Sequence, residues 1–80
     1  MTHTDANEIA GLFEQLFGRD LTAAERICQS CRRRNSIGAH RLYHGAGLVL
    51  RCPTCGQSAA VIVPLREGHA VSLHGSWLLT

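Results

Sequence analysis

The sequence predicts an α+β fold: an N-terminal amphipathic helix followed by a small antiparallel β ribbon. Three observations predict it. An apolar stripe at helical spacing precedes Gly18, two Cys-x-x-Cys pairs follow, and short alternating segments punctuated by glycine separate and succeed those pairs. Eighty residues make one small domain. The expected organisation is a single compact unit, with the helix in residues 1–20 and the ribbon with its added C-terminal strands in residues 21–80. The apolar fraction of 45% includes many Ala and four Cys, so large core side chains are few. A chain this short buries only roughly 60–65% of its unfolded surface, and a covalent or metal staple is expected.

The helix is read between Asp5 and Gly18. Ile9, Leu12, Phe13, Leu16 and Phe17 recur at i, i+3, i+4, i+7 and i+8, which aligns them on one face. Asp5 can accept from first-turn N–H groups, Glu8 three residues later resembles a capping box, and Gly18 suits a left-handed stop. Leu21 to Ile27 is expected to lead into Cys28 as a short bridge or strand. Ile37 to Tyr43 reads as a strand, His44 to Gly47 as a turn, and Leu48 to Arg51 as the returning strand. Ala59 to Leu65 is a further strand, with Pro64 marking an edge or a bulge. Glu67-Gly68 turns the chain into His69 to Leu73, and Ser76 to Leu79 forms a last short strand.

The cysteines carry the chemistry. Cys28, Cys31, Cys52 and Cys55 are spaced C-x2-C-x20-C-x2-C. Two residues between cysteines let a tight turn aim both sulfurs at one ion, about 2.3 Å away for zinc. The turn's own N–H groups then stabilise the thiolate charge. Pro53 fixes φ inside the second turn and Gly56 supplies a positive φ on its exit, whereas the first turn has Arg32 in that place. The first turn should therefore be strained or differently shaped. One structural zinc per chain in a zinc ribbon is the leading reading. Rubredoxin-like iron, a dithiol redox pair and two disulfides use the same residues and stay open. Four protein ligands would leave no coordination position for substrate, and no carboxylate pair or nucleophile set is spaced for catalysis, so no enzymatic activity is expected.

With the cysteine pairs placed, Ala10-Gly11-Leu12, residues 17–23 (Phe-Gly-Arg-Asp-Leu-Thr-Ala), residues 50–55 (Leu-Arg-Cys-Pro-Thr-Cys) and Leu73-His74-Gly75 give the chain a resemblance over nearly its whole length. It resembles a family of short bacterial proteins known as domain of unknown function family 6510. The resemblance implies the zinc ribbon and its N-terminal helix, and it implies neither catalytic residues nor a partner. Arg32 departs from the glycine expected after the second cysteine.

The remaining expectations concern partners. Arg32, Arg33 and Arg34, with Arg41 and Arg51, are the residues that could contact nucleic acid. Four thiolates around a divalent cation carry two negative charges, however, and these cancel the formal +2 of the chain, so such binding should be weak. The preferred function is a zinc-binding module that presents a surface to another protein. Leu12, Phe13, Leu16, Phe17 and Trp77 would dock that partner unless they close the chain's own core. Packing of the helix on its own sheet, and hence a monomer, is favoured. His40 and His44 are expected as surface imidazoles flanking a turn. No apolar run approaches the ~20 residues of a membrane span. The first residues lack a basic, apolar leader, and the expected compartment is a reducing cytoplasm.

Overall fold

A computed structural model describes residues 4–79. A two-residue strand β1 (Thr4–Asp5) leads into a 3-10 turn (Ala6–Ile9) and helix α1 (Ala10–Phe17). Then come β2 (Glu25–Ile27), β3 (Arg34–Ser36), a second 3-10 turn (Ile37–Ala39), β4 (Arg41–His44) and β5 (Leu48–Arg51). The chain ends with β6 (Ser58–Leu65), β7 (Gly68–Leu73) and β8 (Ser76–Leu78). Five strands form one antiparallel sheet in the order β1-β4-β5-β6-β7, and three form a second in the order β3-β2-β8. The α+β class holds. The expected single ribbon with two added strands resolves into two sheets: β7 extends the larger, while β8 returns to pair with β2. Among the described residues no helix is long and apolar enough to cross a membrane.

The N-terminal segment differs in detail from its expected form. Asp5 accepts from the Asn7 N–H at 3.1 Å, but the first turn is 3-10 and the α-helix begins only at Ala10. Glu8 does not close a capping box there; its carboxylate lies 3.6 Å from His44 Nε2. Gly18 ends the helix at φ 75°, with its N–H on the Glu14 carbonyl. The apolar stripe faces the chain's own core. Ile9 and Phe13 are buried with Ala6, and Leu12, Leu16 and Phe17 pack against the cluster partly buried. Complete burial of a side chain such as Phe13 contributes about 1.5–3 kcal/mol, which an isolated eight-residue helix cannot obtain from water.

The larger sheet supplies the other half of that core. Leu42, Leu50 and Ala60 lie in register on one face, and Ile62 follows two residues on; all four are buried. The opposite face carries Tyr43, Val49 and Val61 in register, with Val63 37% exposed. Pro64 sits in a strand that is internal to the sheet order, yet β5 begins with Leu48 opposite Ile62 and does not reach further, so Pro64 pairs only with His69 of β7. The register irregularity falls instead between Leu50 and Arg51, beside the second cysteine pair.

The expected strand from Ile37 to Tyr43 divides. Ile37 and Gly38 form the 3-10 turn, where their N–H groups donate to Ala24 O at 2.8 Å and Thr22 O at 2.9 Å. A Cβ on Gly38 would meet Thr22 O at 3.0 Å, so only glycine allows this approach. Strand β3, polar throughout, is formed by pairing with β2 and had no apolar alternation to announce it.

Candidate metal centre

Each cysteine pair closes a tight turn, and the two turns repeat one another bond for bond. In the first, Arg32 N donates to Cys28 O at 3.2 Å, Cys28 N to Arg33 O at 2.9 Å, and Ser30 N to Cys28 Sγ at 3.4 Å. In the second, Gly56 N donates to Cys52 O at 2.9 Å, Cys52 N to Gln57 O at 2.8 Å, and Thr54 N to Cys52 Sγ at 3.4 Å. The β2–β3 connection carries the first turn, and the β5–β6 connection carries the second. Arg32 adopts φ 65°, the one non-glycine residue in the left-handed region among those described, while Gly56 takes φ 82°. The first turn therefore keeps the shape of the second at the cost of backbone strain.

Together the turns bring all four Sγ atoms within 4.8 Å of one another, with Cys28 and Cys52 buried and Cys55 exposed. Cys28 and Cys55 stand 3.6 Å apart, and Cys31 and Cys52 3.7 Å. A tetrahedral site with ~2.3 Å metal–sulfur bonds needs sulfurs about 3.8 Å apart, so these contacts have the length of tetrahedral edges. No disulfide links the cysteines.

The electrostatics also favour a cation. Burial opposes ionisation of Cys28, but the Cys31 and Ser30 N–H groups and the Cys55 and Cys31 thiols outweigh it, lowering its pKa to about 6. Cys52 is lowered in the same way, against its burial, by the Cys55 and Thr54 N–H groups and the thiols of Cys31 and Cys55. The Arg33 N–H favours a Cys31 thiolate, yet desolvation and the sulfurs of Cys52, Cys55 and Cys28 prevail and push it up to about 11. The turns thus stabilise the first thiolates and resist the last. Four thiolates this close coexist only around a positive ion. The donor set and spacing fit a divalent, sulfur-seeking metal.

The arginines singled out from the sequence disperse around this centre. Arg32 and Arg33 are exposed on the exit of the first turn. Arg34 is paired with Glu25 at 2.9 Å. Arg41 donates to Pro53 O at 3.4 Å and Arg51 to Gly56 O at 3.0 Å, so both brace the second turn; Arg51 also lies 5.7 Å over the Tyr43 ring. Of the apolar residues considered for docking, Phe13 is 1% exposed and belongs to the core, and its ring stands 6.2 Å from that of Phe17. Leu12, Leu16, Phe17 and Trp77 flank the same core, and Trp77 Nε1 donates to His74 O at 3.0 Å. This placement leaves Phe13 no surface to offer a partner.

His40 corrects the reading of two surface imidazoles. His44 is exposed, but His40 is wholly buried, ahead of β4 rather than within it. Its Nδ1 lies 2.9 Å from Ser36 O, and its Nε2 lies 3.1 Å from Arg26 Nη1. Burial, and the positive charge of Arg26 with it, lowers its pKa against the pull of the Ser36 and Ile37 backbone. The sequence offered no sign of Arg26. It is the middle residue of a three-residue strand, too short for alternation to show which side faces inward.

No curated protein and no solved structure matches the chain significantly. A family model does match, over residues 1–80, and on that match the chain belongs to the family of unknown function DUF6510.

Proposed function

We propose that the protein is a non-enzymatic zinc-binding module, a zinc ribbon whose single structural zinc is held by Cys28, Cys31, Cys52 and Cys55. The observation that carries the reading is the pair of matching turns converging four Sγ atoms within 4.8 Å. Thiolate ligands in tetrahedral spacing suit zinc, and four protein donors complete its coordination, which removes the open position that metal-assisted hydrolysis requires. Bound zinc would contribute chiefly to folding, since apparent affinities in small modules correspond to roughly 10–16 kcal/mol. The module acts in the cytoplasm by presenting a surface to another protein. The support for that role is the second face of the larger sheet, where Val63 and Leu65 are 37% and 58% exposed.

Metal analysis of protein purified without added metal tests the proposal. The expected result is one zinc per chain and loss of folded structure in Cys52→Ser. Stoichiometric iron with visible colour would replace zinc by a rubredoxin-like site, and a folded, metal-free Cys52→Ser protein would overturn the structural role altogether.

A further inference from the structure

Arg26 is 1% exposed, and none of the chain's carboxylates pairs with it among the described residues. Its hydrogen bonds go to neutral acceptors: Nε to His74 O at 2.8 Å, Nη2 to Gln29 Oε1 at 2.5 Å, and Nη1 to His40 Nε2 at 3.1 Å. With His40 Nδ1 donating to Ser36 O, Nε2 is the bare acceptor that a guanidinium needs. The backbone is shaped around the group as well. Gly75 adopts φ 79°, and a Cβ there would lie 3.0 Å from Nη2, 3.1 Å from Nε and 2.6 Å from Ile27 O. The fold thus builds a fitted, buried place for a permanent cation and gives it no counter-ion of the ordinary kind. A buried charge without compensation is strongly unfavourable.

The compensating charge is one amide away. Gln29 lies inside the first cysteine turn, and the oxygen that receives Arg26 stands 3.7 Å from Cys28 Sγ. The nitrogen of the same amide donates to Ser58 O, on the strand leaving the second turn, at 3.1 Å. The Cys28 thiol donates to that oxygen, and when the sulfur ionises to bind a metal this bond is lost and the oxygen is repelled unless a cation holds it; Arg26 is that cation.

We propose that Arg26, acting through Gln29, is the buried counter-charge of the four-thiolate metal centre, so that metal loading and closure of the β3-β2-β8 sheet are coupled. The inference rests on the zinc reading given above. Arg26 is a positioning residue: it touches no metal and raises affinity by stabilising the negative charge that the loaded site carries. The coupling reaches β8 because His74 O accepts from both Arg26 and Trp77 Nε1.

Zinc affinity of the full chain, measured by competition with a chromophoric chelator, tests this together with the thiolate-to-metal absorption of the cobalt-loaded protein. Trp77, the sole tryptophan, reports on β8 by its emission. Arg26→Gln keeps hydrogen-bonding capacity but removes the charge. It should weaken zinc binding roughly 10- to 100-fold, as expected for a unit charge about 6 Å from Cys28 Sγ, the reach of the Arg26–Gln29–Cys28 contacts, at an effective dielectric of about 20 or somewhat more. It should also move the cobalt–thiolate band to longer wavelength, because the sulfur electrons lose a neighbouring cation. Arg26→Lys restores most of both. Arg34→Gln, which removes an exposed charge, should change neither. Wild-type affinity and an unshifted band in Arg26→Gln would overturn the inference, as would equal losses in Arg26→Gln and Arg34→Gln. Should Arg26→Gln fail to fold, Arg26→Lys decides: near wild-type affinity and band position support the charge role, and their loss overturns it. A wild-type protein that binds neither zinc nor cobalt would overturn the zinc reading itself, a result distinct from a loaded protein indifferent to Arg26.

Discussion

The two cysteine turns offer a controlled comparison of one backbone position with and without a side chain. Arg32 and Gly56 both occupy the left-handed region, at φ 65° and 82°, and both donate N–H to the carbonyl of the first cysteine of their pair. A non-glycine residue there costs about 1–2 kcal/mol. Replacing Arg32 by glycine relieves that strain but restores freedom to the unfolded chain worth about 0.4–1 kcal/mol. The Arg32 side chain is exposed, so little packing is lost. Arg32→Gly should therefore stabilise the protein by about 0.5–1 kcal/mol, or roughly 2–8 °C in Tm for a domain of this size. The converse change, Gly56→Ala, should destabilise by a similar amount through φ alone, because nothing lies within 4 Å of the new Cβ. Thermal unfolding followed by circular dichroism at fixed excess zinc measures both, the metal being held constant because its binding adds to apparent stability. A lower Tm for Arg32→Gly, or a neutral Gly56→Ala, would refute the argument that the turns share one strained geometry.

Three further outcomes are expected. Phe13→Ala should cost about 3–5 kcal/mol, seen as a lowered midpoint in denaturant, because a 1% exposed ring anchors the helix to the sheet; an unchanged midpoint would remove the helix from the core. The lowered pKa of His40 means that the unfolded chain binds its proton more readily. The stability it contributes is complete above the unfolded value near 6.5 and declines as pH falls below that toward the lowered folded value. His40→Gln should flatten the fall in Tm between about pH 7 and 5.5, and an identical slope in both proteins would contradict this assignment. Nucleic-acid binding should be weak, with a log–log salt slope near −3 if Arg32, Arg33 and one further arginine neutralise about three phosphates. Filter binding that gave a nanomolar Kd at ~150 mM salt would reverse the preference for a protein partner.

Local chemistry made certain features legible without coordinates. The helical stripe, the Gly18 stop, the β4–β5 hairpin, β6 and β7 all follow from spacing and turn residues that act within a few positions of themselves. The four cysteines were equally clear, and even the strain at Arg32 could be anticipated by comparing one turn with the other. Tertiary structure alone decided how these pieces combine. Strand β3 exists because β2 lies beside it, and β8 crosses to the smaller sheet because Arg26, Trp77 and the His74 carbonyl meet there. His40 reads as a surface residue in a polar stretch, yet it is buried to accept a guanidinium that arrives from fourteen residues earlier in the chain. The physical reason is the same in each case. Periodicity reports which side chains avoid water along one segment, whereas a buried polar group is placed by partners from several segments, and no segment on its own carries that information.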